Sequence, residues 1–335
     1  MTVHVRINAL SALGQLLRDL NSTEFQSLCE QAARENPWFT KDNVRMAVDG
    51  VISFLQKDKL QQWTSPYNFE VKPKRVAIVM AGNIPLVGFH DLLAVLISGH
   101  TAVVKLSSKD SVLLKFILQE LFEIEPAFRT KIELAEQLKN FDAVIATGSD
   151  NSARYFDYYF GKYPHIIRKN RTSVAILSGV ETKEELHALG TDVFSYFGLG
   201  CRNISKLFVP EGYIFDKLFE SWESYQPIIH HHKYCNNYDY QKSIMLVNGI
   251  PFLDNGFVML HQNAKMVSPI SVVYYETYKD QNELTEKLNA AAEKIQCIGG
   301  NTSPATVSFG QTQRPALWDY ADQVNTLKFL TSLPD

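Results

Sequence analysis

The sequence lacks most of the features that would fix its class at once. Its 335 residues include only 4 cysteines. Cys29, Cys201, Cys235 and Cys297 lie far apart and in no Cys-x-x-Cys or Cys/His finger spacing, which argues against a disulfide scaffold and a zinc finger. No run reaches the roughly 18 apolar residues a bilayer span requires, so no membrane span is expected. The N-terminal stretch interleaves Arg6, Arg18 and Asp19 with apolar positions and shows no apolar segment before a small-residue cleavage site. No signal peptide is read, and a reducing, cytoplasmic location is expected. Charge of one sign is also missing: 33 Lys and Arg against 36 Asp and Glu leave a net charge of −3. That gives no basic field for nucleic acid or an anionic membrane.

What is present is ordinary for a globular chain, with 45% apolar and 21% charged residues and a length that suits two domains. Apolar residues at Ile7, Leu10, Leu13, Leu16, Leu17 and Leu20 follow the rhythm of an amphipathic helix. Two further helices are expected, one behind a capping box at Thr23 and Gln26 and one capped by Thr40. Residues 61–74 read as a connector. Then the texture changes to short apolar runs, Arg75–Met80, Thr101–Leu106, Asp142–Ala146 and Ser173–Leu177, with helical patterns between them. Strands apolar on both faces belong in a parallel sheet covered by helices, so a doubly wound α/β domain is predicted. Beyond Gly179 the alternation restarts: a helix from Thr182 to Phe197, a strand Asn203–Val209, a helix Phe215–Trp222, and strands near Ser243–Val247 and Ser271–Tyr275. That pattern suggests a second domain, with His230 to Tyr240 as an irregular segment inside it.

Ligands of open parallel sheets sit at the carboxyl ends of the strands, which directs attention to three loops. The first carries Asn83 with Pro85, the second Lys105, Ser107, Ser108 and Lys109, and the third Thr147, Gly148 and Ser149. Asn83 reads either as a donor at the sheet mouth or as a helix-capping turn residue. A helix that begins with Gly and Ser offers free N–H groups to an anion, although an N-cap Ser needs no ligand to explain it. Cys201 stands in Gly198-Leu199-Gly200-Cys201-Arg202-Asn203, between a helix and a strand. It reads equally as a nucleophile, activated if the Arg202 guanidinium stays close, or as a small residue filling a gap. The Gly-x-Gly fragment follows a helix and lacks its third glycine, so it is no dinucleotide fingerprint. His230, His231 and His232 with Cys235 do not build a metal site, because three consecutive imidazoles cannot converge from a regular element and neither HExxH nor a second cluster is present. No GxSxG elbow supports a serine hydrolase.

Taken in order, these pieces resemble the aldehyde dehydrogenase superfamily, and within it the acyl-CoA reductase family typified by the fatty acid reductase component of bacterial bioluminescence. The matching pieces are Asn83 with Pro85, Lys105, Thr147-Gly148-Ser149 and Cys201, joined by Ser268 to Val273, Ser308 to Gln311 and Tyr320 to Asp322. The resemblance runs from about Lys74 to the end. It implies a fold of two doubly wound α/β domains behind an N-terminal helical segment. Residues 1–60 would pack on a Rossmann-like cofactor domain at 61–178, with a catalytic domain at 179–310 and a tail at 311–335.

The resemblance also implies roles. Cys201 would be the acyl-accepting nucleophile and Asn83 an amide donor to the oxyanion beside the Cys201 backbone N–H. Lys105 would reach the adenosine ribose or its phosphate and Ser149 the pyrophosphate, with Thr147 and Gly148 also in the cofactor site. Hydrolytic members carry a glutamate in a Glu-Leu-Gly-Gly-Lys segment ahead of the cysteine. Aligned on Ser173, that stretch reads Arg168-Lys169-Asn170-Arg171-Thr172, and Arg168 stands in the glutamate's place. Without that base the acyl-enzyme should survive until hydride arrives. NAD-using members often carry a Glu three residues after the lysine; here Ser108 stands there, which favours NADPH.

The function so implied is NADPH-dependent reduction of an acyl-CoA, or another activated acyl donor, to a fatty aldehyde. A homo-oligomer, dimer or tetramer, is expected, with an acyl-synthetase as a candidate partner. Two other readings stand beside it: a CoA-acylating dehydrogenase running in the oxidative direction, and a non-catalytic acyl-binding scaffold.

Overall fold

A computed structural model describes residues 1–70 and 72–334. The chain divides into two compact units, the first formed by Met1–Asn170 together with the segment from Ala316 onward, the second by Arg171–Pro315.

The first unit opens with four helices: α1 (Val3–Asp19), α2 (Ser22–Glu35), α3 (Lys41–Phe54) and α4 (Lys57–Thr64). The predicted stripe of α1 is buried at Ile7, Leu10, Leu13 and Leu17. Thr40 caps α3 by accepting from the Asn43 N–H. The expected box at Thr23 and Gln26 does not start α2. Asn21 does, with its side-chain oxygen accepting from the Thr23 and Glu24 N–H groups, so the cap lies earlier in the chain than expected. The expected connector from Gln61 also begins inside α4.

Next come β1 (Arg75–Val79), α5 (Phe89–Ser98), β2 (Thr101–Lys105), α6 (Val112–Ile124), β3 (Ile132–Leu134), β4 (Ala143–Thr147), α7 (Asp150–Phe160) and β5 (His165–Arg168). The five strands form a parallel sheet in the order β3-β2-β1-β4-β5. The chain winds outward from β1 in both directions, so the topological switch lies between β1 and β4. The N-terminal helices share one apolar core with this sheet, in which Leu13, Phe25 and Val44 join Val76, Ile97 and Val104.

The second unit holds β6 (Thr172–Ile176), α8 (Lys183–Phe194), β7 (Ile204–Pro210), α9 (Asp216–Trp222), α10 (His232–Val247), β8 (Leu253–Asp254), β9 (Met259–Gln262), β10 (Val272–Tyr278), α11 (Gln281–Ala290) and β11 (Ile295–Gly299). Its sheet runs β11-β6-β7-β10-β9-β8, parallel except for the short edge strand β8. The chain then returns to the first unit, where α12 (Thr326–Thr331) buries Leu327 and Leu330 in that unit's core.

The structure differs from three further expectations. The strand at Ser173–Leu177, read as one of the first sheet's, belongs to the second; β5, which the apolar pattern did not single out, closes the first. The irregular segment from His230 and the strand near Ser243–Val247 are instead largely the single helix α10. Its apolar residues do not gather on one face, so helical periodicity is hidden. Polar anchors hold it: the Tyr234 hydroxyl donates to the Phe257 carbonyl at 3.0 Å and the Tyr238 hydroxyl to Asp254 at 2.8 Å.

Candidate functional site

The register of the first sheet gathers most of the candidate residues on one edge. Val79, the last residue of β1, pairs with Lys105 at the end of β2 and with Ala146 near the end of β4. Adjacent strands lie about 4.8 Å apart. The loops bearing Asn83, Lys105 with Ser108, and Thr147-Gly148-Ser149 therefore leave the sheet side by side at its carboxyl edge, over the switch point. Asn83, Lys105, Ser108 and Ser149 are exposed there.

Contact between the first two loops explains Gly82. A Cβ at that position would lie 2.4 Å from Ser107 Oγ and 2.7 Å from Ser107 Cβ, so only glycine permits the approach. Asn83 is not a helix cap; Gly88 precedes α5, and Pro85 sits in the intervening turn. The turn is clasped on both flanks. The Asn36 amide donates to the Gly82 carbonyl at 3.2 Å, and Asp110 accepts the Leu86 N–H at 2.7 Å. Leu86 is held at φ 57, the left-handed region that a branched side chain enters at a cost of about 1–2 kcal/mol.

In the third loop the hydroxyl of Ser149 caps α7, accepting from the Ser152 N–H at 3.3 Å. Gly148 is required by packing, because a Cβ there would stand 2.8 Å from Phe156 Cε2 and from Ser152 Cβ.

Cys201 belongs to the second unit, half-buried in the turn between α8 and β7. Three successive left-handed residues, Tyr196 at φ 51, Phe197 at φ 57 and Gly198 at φ 77, reverse the chain before it. Asn203, 2% exposed, pins this reversal. Its amide nitrogen donates to the carbonyls of Asp192 at 3.0 Å and Ser195 at 2.7 Å, and its oxygen accepts the Gly200 N–H at 2.8 Å. On the other side of Cys201, the Ser173 hydroxyl on β6 donates to the Cys201 carbonyl at 3.0 Å and stands 3.0 Å from the Cys297 thiol. Burial pushes the Cys297 thiol up, and the Ser173 hydroxyl and the Arg202 guanidinium oppose that shift. Arg202 thus acts on Cys297, a contact that its place next to Cys201 in the sequence does not reveal.

Arg168 is the residue that the resemblance sets in the place of the hydrolytic glutamate. It is 3% exposed and committed within the first unit. Its guanidinium pairs with both oxygens of Asp91 on α5, at 2.6 and 3.2 Å, and donates to the Ala321 carbonyl at 2.6 Å and to Thr326 Oγ1 at 2.9 Å. It ties β5 to the returning C-terminal segment. Among the described residues no group of three or more His, Cys, Asp or Glu could hold a metal ion. No helix among them is long and apolar enough to cross a membrane.

Sequence reasoning passed over Asn36, Asp91, Asp110, Ser173 and Asn203. Only Asn203, an Asn closing a Gly-rich turn, carried a local signal. The others act across long sequence separations.

The fold is that of the aldehyde dehydrogenases. The chain is similar to an aldehyde dehydrogenase from Mycobacterium tuberculosis complexed with NAD+, at 14% identity and a TM-score of 0.66, covering 90% of this chain and 74% of that one. It is likewise similar to aldehyde dehydrogenase 21 from Physcomitrella patens in complex with the reaction product succinate, at 13% identity, TM-score 0.64 and coverage of 90% and 74%. A mutant of aldehyde dehydrogenase C from Pseudomonas syringae, complexed with NAD+ and octanal, matches at 12% identity and TM-score 0.65 over 91% and 73%. No curated protein matches in sequence.

Residues 16–216 match the model of the acyl-CoA reductase (LuxC) family, and the chain belongs to that family. As a member of that family it is an oxidoreductase of the acyl-CoA reductase type.

Proposed function

We propose that the protein reduces an acyl-CoA thioester to the aldehyde with NADPH through an acyl group carried on Cys201. The observation that carries this reading is the placement of Cys201 on a glycine-flanked turn fixed by Asn203 and Ser173, in a chain of the acyl-CoA reductase family. The first unit is assigned to the cofactor and the second to the acyl group.

The carboxyl edge of the first sheet fits a nicotinamide dinucleotide by its donor set. Lys105 would hold the adenosine ribose or its phosphate, with the neutral Ser108 beside it. The start of α7 behind Thr147 and Gly148 would face the pyrophosphate. The Ser149 hydroxyl already caps α7, so its part there is through the helix terminus more than through its own oxygen. The bound cofactor supplies the hydride.

In the acyl half, the Cys201 thiolate attacks the thioester carbonyl, the C–S bond to CoA breaks, and CoA leaves as its thiolate. One thioester replaces another, so the step costs little free energy. After reduction of the enzyme thioester, the thiohemiacetal gives up its proton, the C–S bond to Cys201 breaks, and the aldehyde departs as the thiolate is restored. Asn83 donates its amide to the oxygen that becomes negative in both halves; loss of one such donor costs about 10²–10³ in rate.

The test is incubation with acyl-CoAs of graded chain length and NADPH, with aldehyde measured as product. Aldehyde should form with wild type and fail to form with Cys201→Ala. Equal yields from the two proteins would overturn the proposal.

A further inference from the structure

The loop that bears Asn83 is built against a group that the chemistry above leaves unused. Asp110, at the foot of α6, is 6% exposed. One of its oxygens accepts the Leu86 N–H at 2.7 Å, and the other, Oδ1, has no hydrogen-bond partner among the described residues. Carboxylates are rarely buried half-satisfied, because each unmet oxygen costs desolvation free energy that a surface position would avoid. Asp110 therefore sits where its carboxyl is expensive, and the one bond it makes holds the strained φ of Leu86. Its Cβ also lies 3.3 Å from where a Cβ at Gly82 would stand, so the residue backs both ends of the Asn83 turn. At the Gly82 end the Asn36 amide completes the clasp.

We propose that Asp110 is a positioning residue for the reaction: through the Leu86 N–H it fixes the turn that carries Asn83. This rests on the role proposed for Asn83. A carboxylate accepts a stronger, shorter hydrogen bond than a neutral carboxyl does, so the turn is held most firmly when Asp110 is ionised.

Burial, reinforced by the Glu35 charge and opposed by the Leu86 N–H, pushes the Asp110 carboxyl up to about 7. Glu35, at the end of α2, is the charged group set against Asp110 from a neighbouring element. It is itself engaged with the Ser111 N–H and hydroxyl and the Val112 N–H, and Lys115 on α6 favours its charge. The clasp thus tightens across neutral pH.

Two variants test the assignment in the full chain. Asp110→Asn keeps an acceptor for the Leu86 N–H but cannot ionise; Asp110→Leu removes the acceptor. The ratio of wild-type to Asp110→Asn kcat should be near one at pH 6 and rise severalfold by pH 8. Asp110→Leu should lose at least about tenfold in kcat at pH 8 with the KM for acyl-CoA little changed, since misplacing a catalytic group costs rate more than binding. A wild-type to Asp110→Asn ratio flat across pH 6 to 8, or a folded Asp110→Leu enzyme with wild-type kcat, overturns the role of Asp110. Should Asp110→Leu fail to fold, the Asp110→Asn profile decides alone. An Asn83→Ala enzyme with wild-type kcat contradicts the Asn83 reading instead, which separates the two failures.

Discussion

The Arg168 guanidinium and the Asp91 carboxylate form a buried two-pronged ion pair, 2.6 Å at its shorter contact, that fixes β5 to α5. Arg168 also holds the Ala321 carbonyl and Thr326 Oγ1, so one side chain secures the strand edge and the returning C-terminus together. Removing one member of such a pair leaves an uncompensated buried charge. Arg168→Ala and Asp91→Ala should each lower the unfolding free energy by about 3–5 kcal/mol, measured by denaturant titration. An effect within about 0.5 kcal/mol would contradict the assignment of Arg168 as a structural clamp. Arg168→Glu sets a second carboxylate against Asp91 and should destabilise at least as much.

Arg168 bears on a second expectation, because the resemblance sets it where hydrolytic relatives of the superfamily carry a glutamate. Release of free acid from acyl-CoA without cofactor should be slow beside aldehyde formation with NADPH. Rapid acid release that depends on Cys201 would reveal another general base.

Cofactor choice turns on the loop after β2. Lys105 is exposed at the strand end and the neutral Ser108 follows in the turn, so on the proposed reading a 2′-phosphate would meet a cation where a glutamate at 108 would repel it. The ratio of kcat/KM for NADPH over NADH should exceed one. Ser108→Glu should lower it about tenfold or more, since a charge-assisted contact is worth about 1–3 kcal/mol. A wild type that prefers NADH, or a substitution without effect on the ratio, would contradict this reading.

Stability should also carry the signature of Asp110. Its carboxyl is raised from 3.8 to about 7 in the folded protein, so the folded chain binds a proton that the unfolded chain releases between those values. The contribution is fully present below about pH 4 and is lost as pH rises through 7. Asp110→Asn lacks this loss. Relative to wild type it should gain stability steadily from pH 4 to 7 and level off above, as read from melting temperatures across that range; a constant difference would contradict the shift.

The parts of the architecture legible in the sequence are those with local patterns. The apolar stripe of α1, the Thr40 cap and the buried runs of β1, β2 and β4 all repeat a periodicity within a few residues. Helix α10 escaped because its buried Tyr234, Tyr238 and Met245 are too sparse to mark a face, and its anchors are tyrosine hydroxyls bonded to distant chain. The candidate residues Asn83, Lys105, Ser108, Thr147, Gly148 and Ser149 could be picked out singly, and the parallel register places them on one edge. What holds those loops could not be read. Asn36 reaches Gly82, Asp110 reaches Leu86, and Arg168 reaches Asp91 across dozens of residues, and such pairings leave no trace in local spacing.

Whether Cys201 carries the acyl group is read by mass spectrometry of the intact protein after exposure to acyl-CoA without reduced cofactor. A single added acyl mass should appear, located on Cys201, removed by hydroxylamine and absent from Cys201→Ala. No adduct on wild type, or an adduct that persists in Cys201→Ala, would contradict it.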